Sequence, residues 1–175
     1  MSNDSTTNNF EEMIFPALLK EYDKILIPMI QRDYAQGRTD KKAQEVRTNL
    51  LNDIFDEKKK CVHFDLIFGS CEKRNENDGE KRCFIPVDGQ QRLTTLFLLY
   101  LYAQNVKRQK NDWDLSKFSY DTRRAAADFC KEVTATHWDV KSNEKVSDVI
   151  KNSVWFMNYW GNEFYLNQFS QLISP

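Results

Sequence analysis

The chain has 175 residues, enough for one domain or one domain and part of a second, and its 41% hydrophobic and 29% charged residues are ordinary for a globular protein that builds a core. A net charge of −1 and a pI near 6.2 exclude a global basic field, so any contact with nucleic acid has to rest on a local patch. The opening MSNDSTTNNF lacks the apolar segment of a secretory leader, and the longest apolar run, LFLLYLYA, falls far short of the ~20 residues that span a bilayer, so a cytoplasmic protein without membrane contact is expected.

In chain order, residues 1–9 are polar and aperiodic and read as disordered. A short helix should follow, with Phe10, Ile14, Leu18 and Tyr22 on one stripe. KILIP then reads as a buried strand closed by Pro28, and IQRDYAQGR as the loop that leaves it. Asp40 is placed to cap an amphipathic helix carrying Ala43, Val46, Leu50, Leu51 and Ile54 at spacings of three and four. CVHFDLIFGSCEK reads as a strand and CFIPV as its return. Between them lies a polar turn, EKRNENDGEKR, with a hairpin signal at Asp78-Gly79 but long for a tight hairpin. From Gln90 a helix apolar almost all round is expected to run through the centre of the fold until VKRQKND. Beyond Trp113 the pattern is less regular and reads as helical, with Asp121 as a possible cap. The aromatics Phe156, Tyr159, Trp160, Phe164, Tyr165 and Phe169 there need partner surface, and the ending SQLISP reads as a cut in a longer chain.

The cysteines at 61, 71, 83 and 130 form no C-x-x-C pair and read as free thiols, although Cys71 and Cys83 could face each other across a hairpin. His63 reads as a packed strand residue, and the feeble metal signal of Cys61-Val-His63 is set aside. There is no Walker A loop and no visible catalytic cysteine pairing.

The stretch FIPVDGQQRLTT, residues 84–95, is the most informative in the chain. As a helix start, Asp88 would accept from first-turn amides, Gln91 would reach back to the cap amide, and Gly89 would allow the sharp turn. That reading leaves Gln90 unused. It also leaves Arg92 in the first turn, where a cation opposes the helix dipole by roughly 0.3–1 kcal/mol. As a site, a strand-to-helix turn offers outward amides to an anion, Arg92 a fork for phosphate oxygens, the glutamines a grip on water or a base edge, and Asp88 a ligand for Mg²⁺ or a base for water. A second Gln-Arg pair, Gln31-Arg32 followed by Tyr34, leaves the KILIP strand in the same way. Two arginines at two strand ends point to a polyanion, either a nucleoside triphosphate or a nucleic-acid backbone.

IPMIQRDY, a helix, a strand ending in Phe-Gly-Ser and then VDGQQRLTTL resemble, over residues 10–105, the N-terminal domain of GmrSD-type modification-dependent restriction systems, also known as domain of unknown function 262. SVWFMNYW resembles the family's later helical part more loosely. The resemblance implies an α/β (α+β) fold: a small mixed sheet with flanking helices, a ParB/sulfiredoxin-like nucleotide-binding core over 10–110 and a helical extension over 111–175. It also implies binding and hydrolysis of nucleoside triphosphate, coupled to restriction of foreign, often modified, DNA. Mapped residue by residue, Gln31, Arg32, Tyr34, Gly89, Gln90, Arg92 and Thr94 become nucleotide or phosphate contacts. Asp88 becomes a metal or water ligand and Gln91 the residue that orients the attacking water. Mg²⁺ is the implied metal, and the implied partners are DNA and an HNH-like nuclease domain or separate nuclease subunit. The chain itself carries only His63 and His137, so DNA cleavage is not expected of it. The competing expectations are a DNA-binding module without hydrolysis, and a scaffold whose motif is only a helix cap. In the latter, Thr94 and Thr95 would be back-bonded helix residues.

Overall fold

The computed structural model describes residues 11–28, 40–59, 61–64, 66–107, 112–121, 124–141 and 144–160, with the backbone alone at 159–160. Gln31, Arg32 and Tyr34 of the first motif lie outside the described residues, as do Phe10 and the aromatics at 164, 165 and 169. The described elements are α1 (Phe15–Glu21), β1 (Lys24–Ile27), α2 (Lys41–Ile54), β2 (Gly69–Glu76), β3 (Gly79–Pro86), α3 (Gln90–Asn105), β4 (Phe118–Tyr120), α4 (Arg124–Ala135), α5 (Val146–Lys151) and α6 (Val154–Trp160). The strands form one mixed sheet in the order β2-β3-β1-β4. β1 runs parallel to both β3 and β4, while β2 and β3 form an antiparallel hairpin. The expected α/β class is therefore observed.

β1 is central because its residues can be buried on both faces. Ile25, Leu26 and Ile27 are all buried. On the first face Ile25, Ile27, Phe84 and Phe118 join Leu93, Phe97 and Leu101 of α3, and Phe97 stacks on Phe118 at 4.4 Å between ring centroids. The expected central helix is thus in place, from Gln90 onward. Lys117 closes α1 against this sheet, its ammonium donating to the carbonyls of Leu19 and Tyr22 at 2.8 and 3.0 Å. Tyr22 lies near Phe84, its hydroxyl 3.1 Å from the Cys71 thiol, with the Arg82 guanidinium 4.9 Å from its ring centre. Burial, and then the contact with Cys71, pushes the Tyr22 phenol up to about 12.

The second face carries a small cluster of Leu26, Cys83 and Ile85. Lys24 pairs with Glu76 at 2.5 Å, and Arg74 of β2 reaches past β3 and β1 to Asp121, donating to both carboxylate oxygens at 2.6 and 3.2 Å.

Several expectations shift. The first helix, with Pro16 in its first turn, buries Phe15 and Leu19 rather than Ile14, which is its exposed N-cap. The second strand is the polar GSCEKRNE rather than CVHFDLIFGSCEK, and the turn is a tight one, with Glu76 paired to Gly79. β2 is an edge strand with little apolar cover, so backbone pairing and cross-strand charges suffice to hold it. Lys73 meets Glu80 diagonally at 2.8 Å. Cys71 pairs with Phe84, and Cys83 with Glu72, which puts the two thiols on opposite faces; all four cysteines are free. β4 falls in the region whose pattern reads as helical; three residues, FSY, are too few to show an alternation. Asp121 spends its carboxylate on Arg74. His63 is 70% exposed rather than packed, with Nδ1 3.2 Å from Glu12 and Nε2 3.4 Å from the Cys61 sulfur. No helix among the described residues is long and apolar enough to cross a membrane.

Candidate functional site

The parallel strands β1, β3 and β4 end together, since Ile25 aligns with Phe84 and Phe118, and Ile27 with Tyr120. The crevice beyond the carboxyl ends of such strands is where open α/β sheets hold ligands. β3 delivers Asp88–Arg92 to this edge, at the N-terminus of the 16-residue α3.

The turn into α3 is made by Gly89, whose φ of 84° and ψ of 8° are left-handed. A Cβ there would also lie 2.7 Å from a side-chain carbon of Ile67. Gly89 itself occupies the N-cap position and no side chain caps the helix, so the capping-box expectation for Asp88 and Gln91 is not met. Asp88 stands one residue too early. Its amide donates to the Phe68 carbonyl at 3.1 Å, and its carboxylate turns forward to Arg92 instead.

Both residues that a cap left unexplained have internal partners. The Gln90 side-chain amide donates to the carbonyls of Pro86 and Val87 at 3.1 and 3.4 Å, tying the helix start to the strand end. Arg92 donates through Nη2 to Asp88 Oδ2 at 3.0 Å and to the Leu66 carbonyl at 3.2 Å, and through Nη1 to the Phe64 carbonyl at 3.5 Å. Two carbonyls and a carboxylate offset the dipole penalty of a cation in the first turn. The Arg92 side chain is 22% exposed and that of Asp88 60%.

Thr94 is buried. Its hydroxyl donates back to the Gln90 carbonyl at 3.0 Å and lies 3.4 Å from the Tyr120 hydroxyl; Thr95 back-bonds to Gln91 at 2.9 Å. The helix-interior reading of these threonines is therefore the one the geometry matches. Phe97, Phe118 and Tyr120 help to line a cavity under α3 of about 10 Å³, room for no more than one water and far too small for a nucleotide. Leu66, Phe68 and Val87 are exposed. Phe68 and Val87 are joined by a 2.8 Å backbone bond.

The arrangement therefore offers one exposed carboxylate, one anchored guanidinium, and first-turn amides that precede the intrahelical ladder. Among the described residues no group of three or more His, Cys, Asp or Glu side chains is placed to hold a metal. One carboxylate nevertheless fits Mg²⁺, which is commonly held by one or two carboxylates plus the phosphates of its substrate. Sequence reasoning missed Phe64 and Leu66, whose carbonyls receive Arg92, and Tyr120 beside Thr94. No spacing rule links Phe64 to Arg92; only the fold does.

The family model described as "GmrSD restriction endonuclease, N-terminal domain" matches residues 15–173. A match over nearly the whole chain means that this protein belongs to the GmrSD restriction endonuclease N-terminal domain family, and so to the restriction-type defence proteins. The family implies DNA and a nuclease domain as partners. No curated protein and no solved structure matches the chain.

Proposed function

We propose that the chain is a nucleoside-triphosphate-binding, and NTP-hydrolysing, regulatory domain of a restriction protein that senses DNA for a nuclease located elsewhere. The observation that supports this reading is the Asp88–Arg92 pair at the N-terminus of α3, beyond the carboxyl ends of three parallel strands. There the helix dipole and the guanidinium favour phosphate. Asp88 would hold Mg²⁺, which when bound would neutralise phosphate charge and polarise the transferred group. Gln91 would orient the attacking water, Gln90 would fix the loop, and Gln31, Arg32 and Tyr34 of the first motif would complete the phosphate and base contacts. Incubation with each NTP and Mg²⁺ tests the assignment: Arg92→Ala and Asp88→Ala should each lower binding or turnover by tenfold or more, and unchanged values in both variants would remove the site from this place.

A second reading, a DNA-binding module without hydrolysis, draws on the exposed Phe68 next to Asp88, a surface on which a base could stack. It expects turnover to be absent and binding of modified or plain duplex to weaken steeply with salt.

A further inference from the structure

We propose that the Asp88–Arg92 ion pair is a switch through which phosphate binding releases the metal ligand, so that nucleotide and Mg²⁺ bind cooperatively. The proposal rests on the nucleotide reading above and adds its regulation.

The two partners are not equally held. The guanidinium is largely enclosed and fastened by the carbonyls of Leu66, on the same Nη2 that meets Asp88, and of Phe64, on Nη1. The Asp88 carboxylate is mostly exposed, and Arg92 is the one side-chain partner it has among the described residues. It sits on a bend, immediately before a glycine in the left-handed region. When the pair opens, therefore, Asp88 moves and Arg92 stays. A phosphate oxygen carries more charge than a carboxylate oxygen and competes for the Nη2 that Asp88 now occupies. The displaced carboxylate stays beside the incoming phosphate, where Asp88 and the phosphate together would hold a divalent cation. Without metal the carboxylate competes with the phosphate for the guanidinium; with metal the displaced carboxylate would instead help to hold the phosphate through the cation. Reciprocity then requires that NTP tighten Mg²⁺ binding by the same factor as Mg²⁺ tightens NTP, and couplings of this kind are commonly about 5–150-fold.

The test is calorimetric titration of a non-hydrolysable NTP analogue, with and without Mg²⁺, into the wild-type chain, Asp88→Asn, Arg92→Lys and the double variant. Without metal, Asp88→Asn should bind at least about 5-fold tighter than wild type; with Mg²⁺ the wild type should gain about 5-fold or more and Asp88→Asn should gain nothing. In the Arg92→Lys background, which loses the fork but keeps the charge, Asp88→Asn should change metal-free affinity less than about twofold, since its effect passes through the guanidinium. Equal metal-free affinity of wild type and Asp88→Asn overturns the switch and leaves the nucleotide reading standing. An Asp88→Asn gain that persists undiminished in the Arg92→Lys background also overturns it, because simple repulsion would explain that gain. If neither wild type nor Asp88→Asn binds the analogue, with or without metal, the nucleotide reading fails and the switch with it.

Discussion

α2 and α3 teach different things about the same kind of sequence signal. Both are legible as helices from apolar spacing, and α2 even has the cap its sequence promises, Asp40 accepting from the Ala43 amide at 3.0 Å. Yet α3 buries Leu93, Phe97 and Leu101 in the centre of the fold, whereas α2 buries no residue at all and leaves Val46 exposed. Periodicity fixes the helix and the face that wants cover. Burial depends on what the rest of the chain brings to that face.

The contrast is broken most directly by truncation. Phe97→Ala, which removes the ring stacked on Phe118, should cost about 3–5 kcal/mol in denaturant unfolding. Leu50→Ala on the partly covered stripe of α2 should cost less than about 1 kcal/mol, because little apolar area is lost to water. Similar costs for the two would mean that α2 is buried after all. Gly89→Ala should destabilise by at least about 1–2 kcal/mol from the positive φ alone, with a further cost for displacing Ile67, and should show as a lowered midpoint at unchanged slope. Asp40→Ala should cost about 0.5–2 kcal/mol of local helix stability. Hydrogen exchange should speed up in the first turn of α2 and leave α3 protected.

The smallest effect at neutral pH concerns Tyr22 on the well-packed face. Its proton is held more tightly in the folded state, at about 12 against the ordinary 10.0. The stability it contributes is therefore complete below about pH 10 and is lost as pH rises from there toward about 12. Absorbance titration should show one late-titrating phenol, absent in Tyr22→Phe, whose melting temperature should fall less over that window.

What is legible in the sequence follows the same division. Strong local signals survive: the KILI strand, the cap at Asp40, the start of α3 at Gln90 and the hairpin signal at Asp78-Gly79, although the turn is tighter than its polar stretch suggests. Apolar content misleads where an element lies at the rim. The run from Cys61 to Phe68 has the composition of a strand, while the ladder forms over GSCEKRNE, whose charges find partners on β1, β3 and in the Asp121 that follows β4. At the site, the residue types and their place after a strand are readable, but their pairing is not. A cap gives Asp88 to the helix amides, and it goes to Arg92; Gln90 has no role in a cap, and it ties helix to strand. Arg92 is surprising only while the carbonyls of Phe64 and Leu66, far back in the chain, are out of view.

The central claim is that the β3–α3 junction receives a nucleoside triphosphate. Amide NMR of the chain during titration with a non-hydrolysable NTP and Mg²⁺ tests it most directly. The expected result is saturable shifts concentrated on Asp88, Gly89, Gln90, Gln91 and Arg92, lost in Arg92→Ala. Saturable shifts elsewhere with this turn unmoved, or no shifts at millimolar nucleotide, would contradict it.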